Sequence, residues 1–394
     1  MGEFTYTEAL RILSCGVPVD PDQLLGAVCT PAAGPVLYLA DFSRQALLPV
    51  TADLPPEDVA GTLAGRVFTG GAAVTSVRDG HVRVWVPVME QTARVGVLAL
   101  SFPRSAGGRA GPGADSGDLD PEDLRQAYSL GVFAGLVVAS MTRVSDTPWV
   151  RRQDRRMSLP ASMQWNLLPP WGLAVPGARV AGMLEPAYDV AGDVFDYAVN
   201  DGLLDFAIID GMGHGIGATM LADLAVGAYR HARRGGAAIG EIHAAVDEAL
   251  ASGYEDLSFA TGIIARLALD TGRLTWSCAG HPRPLLLRDR KVVAELDGEV
   301  TVPFGLGTGT AEVNARDLEP GDALLLYTDG VTDARVGSGE LFGEDRLTDL
   351  LEREAASETP PEELLRRLVR AVLDYQGGDL RDDATLVLVQ WTGT

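Results

Sequence analysis

Three apolar segments that resemble β-strands each carry an aspartate at one end. The segments and their acids are 203–209 with Asp210, 323–328 with Asp329, and 384–389 with Asp382 and Asp383. A fourth acid, Asp193, lies in a short segment at 191–196. An ionised carboxylate is costly to bury without a partner, so the pattern calls for a counter-charge. Mg²⁺ and Mn²⁺ prefer oxygen ligands, and carboxylates from several strands can hold two such ions. The pattern therefore predicts a site for divalent cations where the strands end.

Composition restricts the classes of partner. The chain has 394 residues, with 32 basic and 54 acidic side chains and a net charge of −22. A nucleic-acid or anionic-membrane binder needs a basic surface, so neither function is predicted. Lys291 is the single lysine, an arginine bias of the actinobacteria-like kind that GC-rich genomes produce.

No targeting segment is predicted, which favours a cytoplasmic protein. The first residues do not combine a basic region with an apolar core. The three cysteines, Cys15, Cys29 and Cys278, are odd in number and lack metal-ligand spacing, as expected of reduced thiols. The most apolar run, 127–141, would reach only about 22 Å as a helix, against about 30 Å of membrane hydrocarbon. It predicts a buried or dimer-forming helix and no membrane span.

Strand-like and helical patterns alternate in the first part of the chain. The predicted elements are a hairpin at 81–88 and 94–102, a loop at 104–118, and a helix from Pro121, capped by Asp120, to about Val144. Thr147 and Pro148 open a second helical stretch, which Pro160 interrupts and Pro169 and Pro170 end.

From about residue 174 strands dominate, with two helix pairs between them. The pairs are predicted at 215–234 with 239–252 and at 343–356 with 360–376. Thr359 and Glu362 have the spacing of a capping box at the start of the last helix. Strands before and after paired helices predict a layered α+β domain with a mostly antiparallel sheet.

Short motifs in this second part place the acids in a family context. They are DVAGDVFD at 189–196, DGMGHG at 210–215, FAT at 259–261, CAGHP at 278–282, PFGL at 303–306, LYTDGVTD at 326–333, LFG at 341–343 and DDAT at 382–385. In this order they resemble the bacterial branch of the metal-dependent PPM protein phosphatases. That branch includes the stage II sporulation protein E catalytic domain and phosphatases that control alternative sigma factors. The resemblance implies an α-β-β-α sandwich over residues 174–392.

The resemblance also implies roles for individual residues. The implied metal ligands are Asp193, Asp210, the carbonyl oxygen of Gly211, Asp329 and Asp382. Asp210 would bridge two Mn²⁺ or Mg²⁺ ions, and Asp329 would hold the second ion, which makes both catalytic residues. Two such ions about 3.5–4 Å apart activate a water molecule and stabilise in-line displacement at phosphorus.

For several neighbouring residues, the role in the site has two possible interpretations. Asp383 would orient the ligands, although adjacent carboxylates leave it open as a ligand itself, and Asp196 is a further candidate. His214 is either a general acid for the leaving oxygen or a histidine at a helix start. His281 is more typical of a structural role. Ala191 replaces a glycine of the family motif, and its methyl group would crowd the metal loop without removing a ligand.

Residues 5–144 resemble a GAF-type sensor domain, with a PAS fold as the alternative. The resemblance rests on 65–71 (GRVFTGG) and on the strand pair 84–88 and 95–100. GAF domains bind small molecules or dimerise, so a small-molecule ligand and a homodimer are both predicted. Residues 145–173 would form a helical linker, in which 163–169 resembles a Leu-Gln-x-x-Leu-Leu-Pro element. Either this segment couples the sensor to the metal site, with Pro160 as a hinge, or it is an ordinary linker helix.

Together these features predict a regulated phosphoserine/phosphothreonine protein phosphatase, a phosphoric monoester hydrolase of signal transduction. By resemblance, its substrate would be a phosphorylated anti-sigma-factor antagonist of the STAS class, which places it in sigma-factor regulation. Two alternatives stay open: a pseudophosphatase that binds a phosphoprotein without turnover, and a signal-binding scaffold.

Overall fold

A computed structural model describes most of the chain in two compact units. The described residues are 25, 28, 34–50, 54–78, 80–103, 121–186, 188–189, 192–253, 258–307, 311–335, 339–378, 380 and 382–393. The units are Met1–Arg156 and Met157–Thr394, so the division falls inside the predicted linker. The predictions for Cys15, Cys29, the 104–118 loop, Asp120 and Ala191 lie outside the described residues.

The first unit contains a six-stranded antiparallel sheet in the order β3-β2-β1-β6-β5-β4. Its strands are β1 (Val36–Ala40), β2 (Ala46–Pro49), β3 (Glu57–Asp58), β4 (Val74–Arg78), β5 (His81–Glu90) and β6 (Ala93–Pro103). Its helices are α1 (Leu63–Gly70), α2 (Pro121–Met141) and α3 (Thr147–Arg151). The hairpin predicted at 81–88 and 94–102 is confirmed as β5 and β6.

The alternation of side chains along β5 builds a core on each face of this sheet. Val84 and Val86 join the cluster that includes Leu130 of α2, whereas Trp85 joins the cluster that includes Phe68 of α1. Successive strand residues face opposite sides, so one strand serves both cores. The resemblance to a GAF-type sensor stays a prediction.

Helix α2 passes the length and hydropathy test for a membrane span, alone among the helices that the structure describes. Half of its most apolar window is nevertheless buried, on the side that contacts β5 and β6. The prediction of a buried helix is confirmed for that side, while Val132 and Leu136 are exposed. The helix ends at Met141, three residues before the predicted Val144.

The second unit contains two sheets and two helix pairs. Its strands are β7 (Gly172–Val175), β8 (Ala178–Glu185), β9 (Asp193–Asn200), β10 (Leu203–Gly211), β11 (Ala260–Ala268), β12 (Arg273–Ala279), β13 (Leu285–Arg288), β14 (Lys291–Glu295), β15 (Val300–Thr301), β16 (Asn314–Asp317), β17 (Ala323–Tyr327) and β18 (Ala384–Trp391). Its helices are α4 (Leu159–Trp165), α5 (Ile216–Arg234), α6 (Ile239–Gly253), α7 (Asp329–Thr332), α8 (Gly343–Ala356) and α9 (Pro361–Gln376). Both predicted helix pairs are confirmed.

The two sheets pack face to face between the helix pairs. One sheet has the order β15-β12-β11-β10-β9, with β16 also on β12, and the other has the order β14-β13-β17-β18-β8-β7. Helices α5 and α6 bury apolar side chains against the first sheet, and α8 and α9 do so against the second. Between the sheets, the Phe195 ring lies over Gly182, where a Cβ atom would fall 2.3 Å from the ring. The predicted α+β sandwich is therefore confirmed, and its sheets are antiparallel apart from the β12–β15 pair.

Two local predictions are wrong. The predicted break in the linker helix at Pro160 lies earlier, since α3 ends at Arg151 and Pro160 sits in the first turn of α4. Proline is tolerated there because the first amide groups of a helix have no intrahelical acceptor. The predicted capping box also fails, because the residue before α9 is Pro360 and no side chain caps the helix there.

Replacement of a helical glycine by alanine should have opposite effects on stability at two positions, Gly135 and Gly227. A Cβ atom on Gly135 of α2 would lie 1.8 Å from the carbonyl oxygen of Met89, whereas nothing lies within 4 Å of one on Gly227 of α5. We expect Gly135→Ala to destabilise its unit by about 1–3 kcal/mol through overpacking. Gly227→Ala should be neutral or stabilise by up to about 1 kcal/mol through helix propensity. Urea unfolding of the full chain measures both, and equal effects would contradict the packing described for α2.

Candidate metal centre

Antiparallel pairing brings the predicted acids to one edge of the sandwich. In the first sheet, Asp193 begins β9 and is paired directly with Asp210 near the end of β10. In the second sheet, Tyr327 at the end of β17 is paired with Leu386 near the start of β18. An antiparallel partner begins where its neighbour ends, so Asp329, two residues after β17, lies beside the residues that precede β18. Those residues are Asp382 and Asp383.

The two acidic edges face each other across the sandwich. The hydroxyl of Thr328 donates a hydrogen bond to Oδ2 of Asp193 at 2.7 Å and so joins the second sheet to the first. The negative charge of Asp383 acts on Asp193, and the charges of Asp329 and Asp382 act on Asp210. All five predicted acids are thus neighbours. Asp383 lies nearer to Asp193, and Asp382 nearer to Asp210 and Asp329.

Burial and like charge raise the pKa values of Asp193, Asp210 and Asp329. Asp193 is 2% exposed, and burial first, then the charges of Asp210 and Asp383, raise its pKa well above the usual range. Burial, then the charge of Asp329, then that of Asp382 raise the pKa of Asp210 to about 6, against a hydrogen bond with Asp193 that lowers it. Burial and the charge of Asp382 also raise the pKa of Asp329. Such a cluster is relieved by protons or by a bound cation.

The backbone beside the acids lets two further oxygen atoms approach Gly192 closely. Gly192 has φ of 127°, a conformation that side chains other than glycine rarely adopt. A Cβ atom at Gly192 would fall 2.8 Å from the carbonyl oxygen of Gly211 and 3.8 Å from Oδ2 of Asp383. Both oxygens therefore face the space over Gly192. Carboxylate and carbonyl oxygens are the ligand set of hard divalent cations, so the residues present fit such an ion.

The acids do not yet form a closed coordination shell. Within the described ranges, no three His, Cys, Asp or Glu side chains converge closely enough to enclose a metal ion. Asp382 instead accepts a hydrogen bond at 3.0 Å from the backbone amide of Asp383. Closing a shell would require rotation of carboxylates that are already neighbours.

Asp196 has a different role from the one expected. Its two carboxylate oxygens accept hydrogen bonds from Arg230 at 2.6 Å and from Arg233 at 2.7 Å, both on α5. Two guanidinium groups neutralise this buried acid, so the expectation that it binds metal is wrong. The spacing of Arg230 and Arg233, three residues apart on one helix face, was the available signal for this ion pair.

A cavity of about 320 Å³ lies beside the acids. Its lining includes Asp382, Asp383 and the exposed His214, together with Ser158 and Pro160 of the α4 start. The backbone amide of Ser158 donates at 2.8 Å to the carbonyl of Tyr188, in the segment that leads to Asp193. The predicted linker therefore forms one wall of the space next to the acids.

His281 is buried behind the acidic edge. Its Nδ1 lies 2.9 Å from the hydroxyl of Thr261, the residue paired with Asp210 on β11. Burial lowers the pKa of His281 to about 3, while the backbone of Tyr327 raises it less. A neutral histidine between the two sheets agrees with the structural role expected for it.

Comparison with known proteins places most of the second unit in one family. Residues 200–392 match the model of the stage II sporulation protein E (SpoIIE) family. The chain is 25% identical over 242 residues to the phosphoserine phosphatase RsbU of Bacillus subtilis, covering 59% of this chain and 69% of RsbU. It is 24% identical over 266 residues to protein IcfG of Synechocystis, covering 59% of this chain and 39% of IcfG. The chain thus spans well under half the length of IcfG.

Similarity to a solved structure is also found. The crystal structure of the RsbU and RsbW domains of Rv1364c from Mycobacterium tuberculosis is similar, with 27% identity and a TM-score of 0.48. The match covers 56% of this chain and 62% of that chain.

Buried, neutral His281 predicts sensitivity to acid. Its pKa is about 3 in the folded chain and about 6.5 in the unfolded chain, so the unfolded state binds a proton between these values. Stability from this group is complete above pH 6.5 and is lost as pH falls, by up to about 1.4 kcal/mol per pH unit. In chelator-treated protein, His281→Asn should reduce the slope of unfolding free energy against pH between about 6.5 and 4.5.

The exposed His231 provides the control. His231→Asn should leave that slope close to the wild-type value, because the His231 side chain is already in contact with solvent in the folded chain. An unchanged slope in His281→Asn would show that His281 is already protonated in the folded protein.

Proposed function

Residues 200–392 form a SpoIIE-type PP2C/PPM phosphatase domain, and on this basis we propose that the chain is a metal-dependent phosphoserine/phosphothreonine protein phosphatase. The observation that carries the proposal is the register of the strands. It pairs Asp193 with Asp210 and sets Asp329, Asp382 and Asp383 at the facing edge. A fold that sets five like charges side by side, with Asp193 and Asp383 buried, is adapted to hold cations, which a binding scaffold would not need.

The candidate ligands form two groups. Asp193, Asp210 and the carbonyl of Gly211 would hold one Mn²⁺ or Mg²⁺, and Asp329 and Asp382 would hold a second, with Asp210 shared. When bound, such ions acidify water and neutralise charge on a phosphate. Asp383, whose charge acts on Asp193, would orient that ligand.

The cavity beside the acids would receive the phosphorylated side chain. Helix α5 begins at Ile216, directly after Gly215 in the cavity lining, and a helix N-terminus favours an anion. His214 lines the same cavity and would donate a proton to the serine or threonine oxygen that leaves phosphorus. After water attacks phosphorus, the P–O bond to that oxygen breaks, and phosphate and the free hydroxyl are released.

The family resemblance is the basis for the proposed substrate class, regulatory domain and cellular location. A relative named phosphoserine phosphatase supports a phosphoprotein substrate, and we assign a STAS-class anti-sigma-factor antagonist as its class. Residues 5–144, the predicted GAF-like domain within the first unit, would act as a dimeric or ligand-binding regulator. We place the protein in the cytoplasm.

The linker contacts support a coupling role. Leu167 and Leu168 pack against the core under α5 and α6, and Arg230 of α5 donates a hydrogen bond to the carbonyl of Leu167. Helix α5 runs from that contact to the cavity beside the acids. A displacement of the 163–169 segment would therefore reach the candidate centre through one rigid helix.

Loss of single acids tests the activity. With Mn²⁺, wild-type protein should hydrolyse p-nitrophenyl phosphate and a phosphoserine protein, and chelator should abolish both reactions. Asp210→Asn and Asp329→Asn should each lower kcat at least about 100-fold, or ~2.7 kcal/mol of transition-state stabilisation. The matched control is Asp317→Asn on β16, whose carboxylate is exposed and paired with Arg273 at the surface. Turnover that persists in chelator would overturn the metal-dependent mechanism, and a folded wild type inactive on both substrates would favour a scaffold.

Truncation of the linker leucines tests the coupling. Leu167→Ala with Leu168→Ala should change kcat on p-nitrophenyl phosphate at least about fivefold, or ~1 kcal/mol, because α5 loses support. Leu159→Ala is the matched control, since Leu159 lies on α4 but is 64% exposed. If the double variant keeps wild-type turnover both alone and with a stimulating partner, the segment is an ordinary linker.

A further inference from the structure

The hydroxyl of Thr328 is the point where three acid-bearing segments meet. Thr328 directly precedes Asp329, is fully buried, and donates to Oδ2 of Asp193, which lies 135 residues away in sequence. Its Oγ1 accepts a hydrogen bond at 3.0 Å from the backbone amide of Thr385, two residues after Asp383. Its own amide donates at 3.1 Å to the carbonyl of Thr385. One side chain thus touches the segments that carry Asp193, Asp329 and Asp383.

The direction of these hydrogen bonds is determined by chemistry. An amide N–H can only donate, so Oγ1 of Thr328 must be the acceptor toward Thr385. The hydroxyl proton is then left for Asp193 at 2.7 Å, since the alternative acceptor, the carbonyl of Asp383, is 3.4 Å away. A carboxylate that accepts such a bond is restricted in its rotamer.

We infer that Thr328 is a positioning residue that fixes the place of Asp193 of the first sheet relative to the acids of the second. Asp193 and those acids can then bind the same pair of divalent cations. This inference rests on the proposed metal-dependent function and deepens it. Asp193 belongs to one sheet and Asp329 to the other, so their separation depends on how the sheets are joined. The hydrogen bond from the Thr328 hydroxyl to Asp193 joins the two sheets at the acidic edge itself.

A threonine buried only for packing would behave differently. Valine has nearly the same shape and lacks the hydroxyl, so it would serve as well in an apolar role. Serine keeps the hydroxyl and lacks the methyl group. The hydroxyl, and not the volume, carries the proposed role, and the two substitutions separate these properties.

The experiment measures Mn²⁺ affinity of the full chain by titration calorimetry, together with kcat and KM on p-nitrophenyl phosphate. Thr328→Val should weaken Mn²⁺ binding about 10- to 100-fold, the range found when a residue that orients a metal ligand is changed. It should lower kcat without a comparable rise in KM at saturating Mn²⁺. Thr328→Ser should stay within about threefold of wild type in affinity.

Thr275→Val is the control, because it removes a threonine hydroxyl from β12 in the sheet that carries Asp193, far from the acids. Thr275 is paired with Arg266, five residues along β11 from Thr261, or about 17 Å. This variant should bind Mn²⁺ as the wild type does. Thr328→Val with wild-type affinity and kcat would overturn the positioning role.

A second pair keeps the test decisive if Thr328→Val does not fold. Thr328→Ser and Thr328→Ala both lose the methyl group and differ only in the hydroxyl. Mn²⁺ affinity at least tenfold weaker in alanine than in serine supports the inference, and equal affinities overturn it. A wild type that binds no Mn²⁺ would overturn the proposed function itself, whereas active wild type with indifferent Thr328 variants removes only this inference.

Discussion

Mutual repulsion of clustered carboxylates is the constraint on which the second unit depends. Asp193 and Asp210 are direct partners across an antiparallel pair, and Asp329, Asp382 and Asp383 crowd the facing edge. Folding brings these charges together at a cost, seen in the raised pKa values of Asp193, Asp210 and Asp329, and packing elsewhere in the sandwich has to offset it. The helix pairs and the tightly packed sheets, with Phe195 over Gly182, supply that stabilisation. A cation bound at the acidic edge would neutralise part of the repulsion between the carboxylates, and the cluster would then serve as a binding site.

Strands and helices were predictable where pattern and local chemistry agree. The apolar segments that end in Asp210 and Asp329 form β10 and β17, and both helix pairs occur where periodicity and glycines placed them. Local signals were misleading at helix starts: Pro160 begins α4 instead of breaking a helix, and Thr359 does not cap α9. Cap and proline signals leave a boundary uncertain by a few residues, and tertiary contacts decide among the alternatives.

The candidate site was only partly predictable for a different reason. The acids are recognisable because each sits in a motif, but their partners are chosen by contacts distant in sequence. Asp196 is neutralised by two arginines of α5, and Asp193 is held by Thr328 from the other sheet. The spacing of Arg230 and Arg233 indicates a shared helix face, but no local pattern identifies Asp196 as their partner or Thr328 as the partner of Asp193. The same holds for His281, whose neutrality follows from burial between the sheets.

Helix α5 links the acidic edge to the linker, since its start borders the cavity and Arg230 near its end contacts Leu167. Catalysis at the acidic edge and regulation through the linker would therefore both depend on metal binding, which makes it the central property. Its most direct test is the number of Mn²⁺ ions that the full chain binds at equilibrium, measured by dialysis with metal analysis. The account predicts two ions per chain, both removed by chelator while the protein stays folded. A folded chain that binds no Mn²⁺ would contradict it.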